Sequence, residues 1–213
     1  MVEFEGEFET HITIRVAEPG DINTLQAWAE RRQLTFHHII LERGQTPSQP
    51  MIGRRGRGRL SGELIAAADL NRRLHAEGFC VSRVKIEAAP GNGDVPNTDA
   101  EALDRHSGRY FEHHVKLVLD PETDVPGLAN VAIAHSAHLS RNARRVRTDG
   151  RQERFVTQRC HAVGRQTASK RLDALLATLL TGGHYVLSVE KEFVVYDSDP
   201  SVDTGWLENG GQS

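Results

Sequence analysis

The chain has 213 residues, of which 38% are hydrophobic and 26% are charged, and its formal net charge is −3. This length suits one globular domain or two small ones, and no stretch approaches the ~18 apolar residues of a membrane span. Two cysteines, Cys80 and Cys160, are too few for a disulfide framework. The N-terminus is acidic and does not resemble a signal peptide, and positive charge is not in excess. These features predict a cytoplasmic protein without a membrane partner.

The first half of the sequence predicts the element order βαββαβ. Apolar and polar residues alternate over 8–16, which is typical of a strand, and Pro19-Gly20 precedes a predicted helix over 21–32. The remaining elements are strands over 34–42 and 46–52, a helix over 61–76 and a strand over 79–88. The segment 89–107 is rich in Pro, Gly, Asn and Asp and is interpreted as a linker.

The second half predicts the same order of elements. A strand over 110–119 leads to a helix over 125–136, and a turn at Thr148-Asp149-Gly150 separates two further strands. These remaining elements are strands over 137–147 and 152–162, a helix over 167–181 and a strand over 184–196. The tail beyond them is irregular, and we expect Trp206 to anchor it on an apolar patch.

Two segments resemble each other and indicate an internal repeat. Phe8-Glu9-Thr10-His11 and Phe111-Glu112-His113-His114 are both followed by alternating apolar residues. Gly78 and Gly183 are separated along the chain by nearly the same distance as His11 and His114. We therefore expect an α+β fold with two pseudo-symmetric, ferredoxin-like βαββαβ halves and antiparallel sheets. The predicted division is a first half over 1–88, the linker 89–107, a second half over 108–197 and a tail over 198–213. The alternative is that the two halves converged on similar patterns.

Polar side chains share one face of four predicted strands, because side chains alternate across a strand. They are Glu9, His11, Thr13 and Arg15, then Arg83, Lys85 and Glu87, then Glu112, His114 and Lys116, and finally Ser188, Glu190 and Glu192. A central strand carries such charges only where they meet water or a polar ligand, since unpaired buried charges are costly. We expect a polar cleft or tunnel between the halves, and the alternative is a sheet face that simply meets solvent.

The motif His11-Ile12-Thr13, with its imperfect echo His114-Val115-Lys116, resembles the two-histidine (2H) phosphoesterases. The resemblance implies a phosphoesterase, a hydrolase in which His11 and His114 are the acid–base pair of the inter-half cleft. Imidazole suits both roles because its pKa lies near neutrality. Thr13 and Lys116, two residues after each histidine, are then the catalytic-site groups expected to hold a phosphate oxygen. The further phosphate-binding candidates are Arg15, Arg83 and Lys85.

Glycine and arginine concentrate in the stretch 53–61 and again over 164–170, just before the second predicted helix of each half. Helix N-termini attract anions, glycine lets the backbone approach phosphate, and arginine pairs with it bidentately. Arg57 and Arg165 are therefore further phosphate-binding candidates. The alternative is an exposed basic loop at each place.

A divalent metal is a second possible basis for phosphate chemistry. Glu9, Glu112, Glu190 and Glu192 are the candidate metal ligands, since carboxylate and imidazole groups suit Zn²⁺, Mn²⁺ or Fe²⁺. Glu112-x-His114-x-Lys116 resembles, in distorted form, the Glu-x-Glu-x-Lys pattern of CYTH-type polyphosphate-processing tunnel enzymes. That resemblance implies a metal-dependent polyphosphate hydrolase.

A non-catalytic role is the remaining alternative. Arginines crowd the hairpin that runs from Arg141 to Arg154, and they can contact RNA through its phosphates. The aromatic content of 6% provides no stacking platform for bases, so a solvated hairpin is the competing interpretation. The sequence thus predicts a phosphate-bearing small molecule or nucleotide as ligand, bound either by an enzyme or by an accessory protein for nucleotide, RNA or protein partners.

Overall fold

The computed structural model describes residues 2–105, 108–145 and 147–205 of the chain. Trp206, the proposed anchor of the tail, lies outside these residues. Among the described residues, no helix combines the length and the apolar character needed to traverse a bilayer.

The described part of the chain contains eight strands and five α-helices. The strands are β1 (Glu5–Arg15), β2 (Thr35–Leu41), β3 (Ser48–Arg59), β4 (Cys80–Ala88), β5 (Tyr110–Leu119), β6 (Ala137–Asn142), β7 (Gln152–His161) and β8 (Tyr185–Asp197). The helices are α1 (Pro19–Glu30), α2 (Leu60–Ala76), α3 (Asp99–Arg105), α4 (Val125–Ala134) and α5 (Arg165–Thr181). A 3₁₀ turn, Pro200–Asp203, follows β8. The mixed α+β class is confirmed.

The strands form one antiparallel sheet that closes on itself in the order β1-β3-β2-β6-β7-β5-β8-β4. Two seams join strands of the first half to strands of the second. At one seam Ile40 of β2 lies opposite Arg141 of β6, and at the other Ile86 of β4 lies opposite Tyr196 of β8. The two open edges therefore pair with each other, and the sheet encloses an interior instead of leaving a cleft between separate sheets. The pseudo-symmetric, ferredoxin-like relationship of the halves stays a prediction.

The outer face of the sheet carries the apolar core. Ile12 and Ile14 of β1 pack with Trp28 of α1 and Leu74 of α2 in one buried cluster. A second cluster joins β5 and β7 to α4 and α5, and a third contains Phe8 together with Phe111 and Phe193. Because side chains alternate along each strand, covering the apolar face with helices turns the polar residues inward.

Two predicted segments differ from their observed structure. The glycine- and arginine-rich stretch is the second part of β3 and not a loop, because glutamates on β1 face its arginines across the ladder. The opposed pairs are Glu5 with Arg59, Glu7 with Arg57 and Glu9 with Arg55. The linker is also not wholly irregular, since it contains α3.

Candidate functional site

The barrel interior is a polar cavity of about 510 Å³. Its wall includes ten of the residues that the sequence singles out for catalysis, phosphate binding or metal binding. They are Glu9, His11, Thr13, Arg83, Lys85, Glu112, His114, Lys116, Glu190 and Glu192. Alternation along the strands therefore brings the predicted polar faces of both halves together around one cavity.

His11 is positioned by β1 and is paired with a carboxylate on the neighbouring strand. Its Nε2 lies 3.1 Å from Glu87 Oε2, and Glu9 is farther away at 3.8 Å. The Glu87 side chain is only 1% exposed. Burial lowers the pKa of His11, but the charge and hydrogen bond of Glu87 outweigh it, so the pKa of His11 is raised overall. His11 thus favours its protonated form more than a free imidazole does.

His114, on β5, is held from both ring nitrogens. Its Nδ1 lies 3.0 Å from Thr157 Oγ1, and its Nε2 lies 3.1 Å from Glu192 Oε2 and 3.4 Å from Glu112 Oε1. Burial lowers the pKa of His114, but the two carboxylates prevail and raise it to about 9. At neutral pH this side chain is an imidazolium whose ring orientation is fixed.

Lys85 connects the two histidine sites. Its Nζ lies 2.6 Å from Glu87 Oε1 and 2.6 Å from Glu112 Oε1. A continuous series of ionic contacts therefore runs from His11 through Glu87, Lys85 and Glu112 to His114. The Lys85 ammonium keeps the pKa of the Glu87 carboxyl well below the usual range despite its burial, and Arg159 together with Lys85 does the same for Glu112. Both glutamates are consequently charged and able to hold the imidazolium forms.

Beyond Glu112 the network continues into an arginine cluster. Arg159 Nε donates to Glu112 Oε2 (2.7 Å), and its Nη2 donates to Asp203 Oδ2 (2.8 Å). Arg83 Nη1 donates to the same Asp203 oxygen (2.6 Å), and Arg83 also contacts Asp197 at the end of β8. Charged groups thus form one connected system along the cavity.

Sequence reasoning missed Arg159 and Asp203. Arg159 lies on β7 two residues after Thr157, and both side chains face the cavity. The alternation along this strand could therefore have indicated Arg159. Asp203 comes from the 3₁₀ turn after the last strand, and no periodicity marks it. Only the path of the tail over the end of the barrel places this carboxylate inside.

Two neutral histidines complete the polar wall. His37 of β2 lies edge-on to His11, with 6.2 Å between ring centroids, and His138 lies on β6. Burial lowers the pKa of His37, and the nearby charge of His11 lowers it further. Burial together with Arg159 brings the pKa of His138 well below its usual value. The cavity therefore holds imidazoles of both protonation states.

Lys116 and Thr13 lie on the cavity wall, but Lys116 points toward β7. Its Nζ lies 2.8 Å from Glu153 Oε2 and 5.6 Å from the centroid of the Phe155 ring. Lys116 is thus a cation that is already paired with the Glu153 carboxylate.

Three predicted phosphate-binding residues lie apart from this cavity. Arg15 is the last residue of β1 and is exposed, and it pairs with Cys80 beyond a bulge at Ser82 of β4. Arg57 lines an adjoining pocket, which shares Glu9, Arg55 and Glu192 with the cavity but includes neither histidine. Arg165 begins α5, where its backbone N–H donates to Pro96 O (2.9 Å). The structure does not bring these three arginines together with the histidines.

The candidate metal ligands separate into two sets. Donor atoms of Glu87, Glu112 and His114 lie within 4.8 Å of one another, whereas Glu9, Glu190 and Glu192 line the cavity outside this group. This N/O donor set suits Zn²⁺ or Mn²⁺. The Lys85 ammonium occupies the space between the two carboxylates, so a metal ion that contacts both must displace it.

No protein-family model matches this chain, and a search of the curated proteins found no match either.

Proposed function

We propose that the chain binds a phosphate-bearing small molecule inside the barrel and hydrolyses its phosphoester bond by histidine acid–base catalysis. The observation that carries the proposal is the contact series from His11 through Lys85 to His114 along one cavity wall. It provides two oriented imidazoles and a cation between them. These are the groups that proton transfer and phosphoryl-charge stabilisation require.

His114 suits the role of general acid. Its imidazolium form persists to a pH of about 9, and both its nitrogens have fixed partners. His11 then takes the role of general base: Glu87 orients its ring, and because its pKa is raised, the free imidazole that accepts a proton from water increases as pH rises. Protonation of the leaving oxygen by His114 and removal of a proton from water by His11 then proceed without net change in the number of protons on the protein.

The cations available to phosphate are Lys85, Arg83 and Arg159. All three are paired with carboxylates, and both arginines are buried. A phosphoryl group that enters between Lys85 and the imidazolium rings adds negative charge to the cavity. Without the ligand, the cations there are balanced by the carboxylates of the chain. Phosphate oxygens pair favourably with guanidinium and ammonium groups. Binding therefore exchanges part of the internal pairing for contacts to the ligand.

The size of the cavity favours a small molecule. Ligand pockets of proteins are commonly ~300–1,000 Å³, and the interior of this barrel has about 510 Å³. A nucleotide or a short phosphoester fits this volume, whereas a folded RNA can contact only the outside. The hairpin from Arg141 to Arg154 stays a separate surface candidate for RNA.

The order of the strands supports a duplicated fold built around the same site. The pairings place the first-half strands in the order β4-β1-β3-β2 and the second-half strands in the order β8-β5-β7-β6. His11 and His114 lie on the corresponding strands β1 and β5. We infer that the halves are pseudo-symmetric ferredoxin-like units.

The two cysteines, Cys80 and Cys160, are not bonded to each other. Free thiols are typical of the cytoplasm, which is the proposed location of the protein.

A second candidate function is metal-dependent hydrolysis of a polyphosphate. It is favoured by the donor group of Glu87, Glu112 and His114 and by the enclosed, Glu- and Lys-lined barrel. The retained positive charge of Lys85 opposes it, because an ammonium and a divalent ion repel each other at this distance.

The experiment compares turnover of a panel of cyclic phosphates, nucleotides and linear phosphoesters by the wild-type protein, His11→Ala and His114→Ala. His75→Ala is the matched control, since His75 is an exposed residue of α2. We expect at least about a hundredfold loss of turnover in each cavity variant, with ligand binding retained. Turnover that survives both substitutions contradicts the catalytic roles. Ligand binding by a wild-type protein without turnover instead identifies the non-catalytic alternative.

A further inference from the structure

Asp203 brings a carboxylate from the tail into the barrel interior. Its side chain is 5% exposed, and Asp203 lines the same cavity as the two histidines. Oδ2 accepts hydrogen bonds from Arg83 Nη1 (2.6 Å) and Arg159 Nη2 (2.8 Å), and Oδ1 accepts one from Gln49 Nε2 (3.0 Å). One anionic group of the chain is thus surrounded by two guanidinium groups and an amide.

The donors around Asp203 belong to the barrel and have other anchors. Arg83, on β4, is also held by Asp197, with distances of 2.8 and 2.5 Å. Arg159, on β7, is also held by Glu112 and lies over the Tyr110 ring at 4.9 Å from its centroid. These contacts fix both guanidinium groups independently of Asp203. The arrangement therefore keeps its shape when the tail carboxylate leaves.

The Asp203 carboxylate, in contrast, is carried by a short turn at the barrel end. Asp199 caps this turn by accepting from the Ser201 N–H (3.1 Å), and Thr204 O accepts from the Gln45 N–H (3.0 Å). The first bond is local and the second joins the turn to the β2–β3 connection, and neither is part of the sheet ladder. The turn can therefore separate from the barrel without breaking a strand pairing.

We propose that the Arg83–Arg159–Gln49 group is an anion subsite for a phosphoryl group, and that Asp203 is a tethered competitor which such a ligand must displace. Arginine recognises phosphate by paired N–H donors, and a phosphoryl dianion carries more charge than a carboxylate. The subsite adjoins Glu112 and hence His114, so a ligand that spans it brings a second phosphate or a carboxylate toward the histidines. This inference goes beyond the proposed hydrolysis, because it holds whether or not the barrel is catalytic.

A tethered group competes strongly because its effective concentration is of millimolar order or higher. Free inorganic phosphate therefore binds the wild-type subsite weakly. Removal of the Asp203 charge leaves two fixed guanidinium groups open to an external anion. We expect phosphate affinity to rise about tenfold or more in Asp203→Ala, and by a smaller factor in Asp203→Asn, whose amide still fills the space.

The test is calorimetric titration of inorganic phosphate and pyrophosphate, at constant ionic strength, into wild-type protein, Asp203→Ala and Asp203→Asn. Asp197→Asn is the matched control: it removes the same charge beside Arg83 but leaves Asp203 in place. We expect tighter binding in the Asp203 variants only, and loss of that gain when Arg159→Gln is added to Asp203→Ala. Equal affinities in wild type and both Asp203 variants overturn the proposal, as does an equal gain in Asp197→Asn.

Stability measurements keep the test decisive where Asp203→Ala weakens the fold. Phosphate then raises the Tm of this variant more than that of wild type if it fills the vacated subsite. An equal rise in both proteins shows that Asp203 only neutralises the arginines, and overturns the proposal. Both readouts are independent of turnover, so failure of the hydrolase proposal leaves this result interpretable.

Discussion

Lys85 of β4 and Glu112 of β5 meet inside the barrel at 2.6 Å, although their strands are separated by β8. The same ammonium contacts Glu87 at 2.6 Å, so one cation balances two nearly inaccessible carboxylates. This contact ties the first half of the chain to the second. It also lies midway along the contact series that connects His11 with His114.

The first prediction concerns the stability contributed by Lys85. Lys85→Met removes the charge but keeps an apolar stem, leaving two buried carboxylates without their shared partner. We expect the free energy of unfolding to fall by about 3 kcal/mol, as for other buried ion pairs that lose one member. Urea unfolding at neutral pH measures it. Lys170→Met, at an exposed position of α5, is the control and should change stability little. An equally stable Lys85→Met contradicts this role.

The second prediction concerns stability as a function of pH. The pKa of His114 is about 9 in the folded protein and 6.5 for the free side chain. Because the folded state binds this proton more tightly, the stability that His114 contributes is fully present below pH 6.5 and is lost as pH rises through about 9. The stability difference between wild type and His114→Gln should therefore shrink across that window by more than about 1 kcal/mol. Urea titrations at a series of pH values measure it, and a constant difference contradicts the raised pKa.

The third prediction concerns the source of that raised pKa. Glu192 Oε2 lies 3.1 Å from His114 Nε2, so Glu192→Gln removes the carboxylate that stabilises the imidazolium most directly. We expect the pKa of His114 to fall by about one unit or more, observed by NMR titration of the imidazole. Glu190→Gln makes the same charge change in the same cavity and should have a smaller effect. Equal shifts in both variants mean that net charge, and not the specific contact, sets the pKa.

The fourth prediction separates the two candidate reactions. Histidine acid–base catalysis requires no divalent ion, so turnover should persist after exhaustive treatment with a chelator. Loss of turnover that Mn²⁺ restores, together with its abolition in Glu87→Gln, supports the metal-dependent alternative instead. Because Lys85 occupies the space between the carboxylates, Lys85→Met should increase Mn²⁺ affinity under that alternative. Calorimetry with Mn²⁺ alone measures this change.

The alternation of residue types predicts much of the cavity wall. Glu9, His11 and Thr13 on β1 face inward as the strand period requires, and so do His114 and Lys116 on β5. The same reasoning misplaces Arg15, which is exposed as the last residue of β1, because a strand pattern does not show where along the strand the barrel interior ends.

Local sequence patterns do not predict that the sheet closes on itself. The seams pair β2 with β6 and β4 with β8, and edge pairing of this kind depends on the relative placement of the two halves. Asp203 is hidden from pattern reasoning for a similar reason, because its turn acquires a role only where it meets Arg83 and Arg159. The sequence thus indicates which side chains are polar and share a face, while long-range contacts decide which of them meet.

The most direct test of the central claim follows the imidazole NMR signals of His11 and His114 while a phosphate ester is added, with His75 as the internal reference. If one ligand contacts both histidines, both cavity signals shift with a single common Kd and the His75 signal stays in place. Unmoved cavity signals at ligand saturation, or two clearly different Kd values, would contradict one ligand site shared by the two histidines.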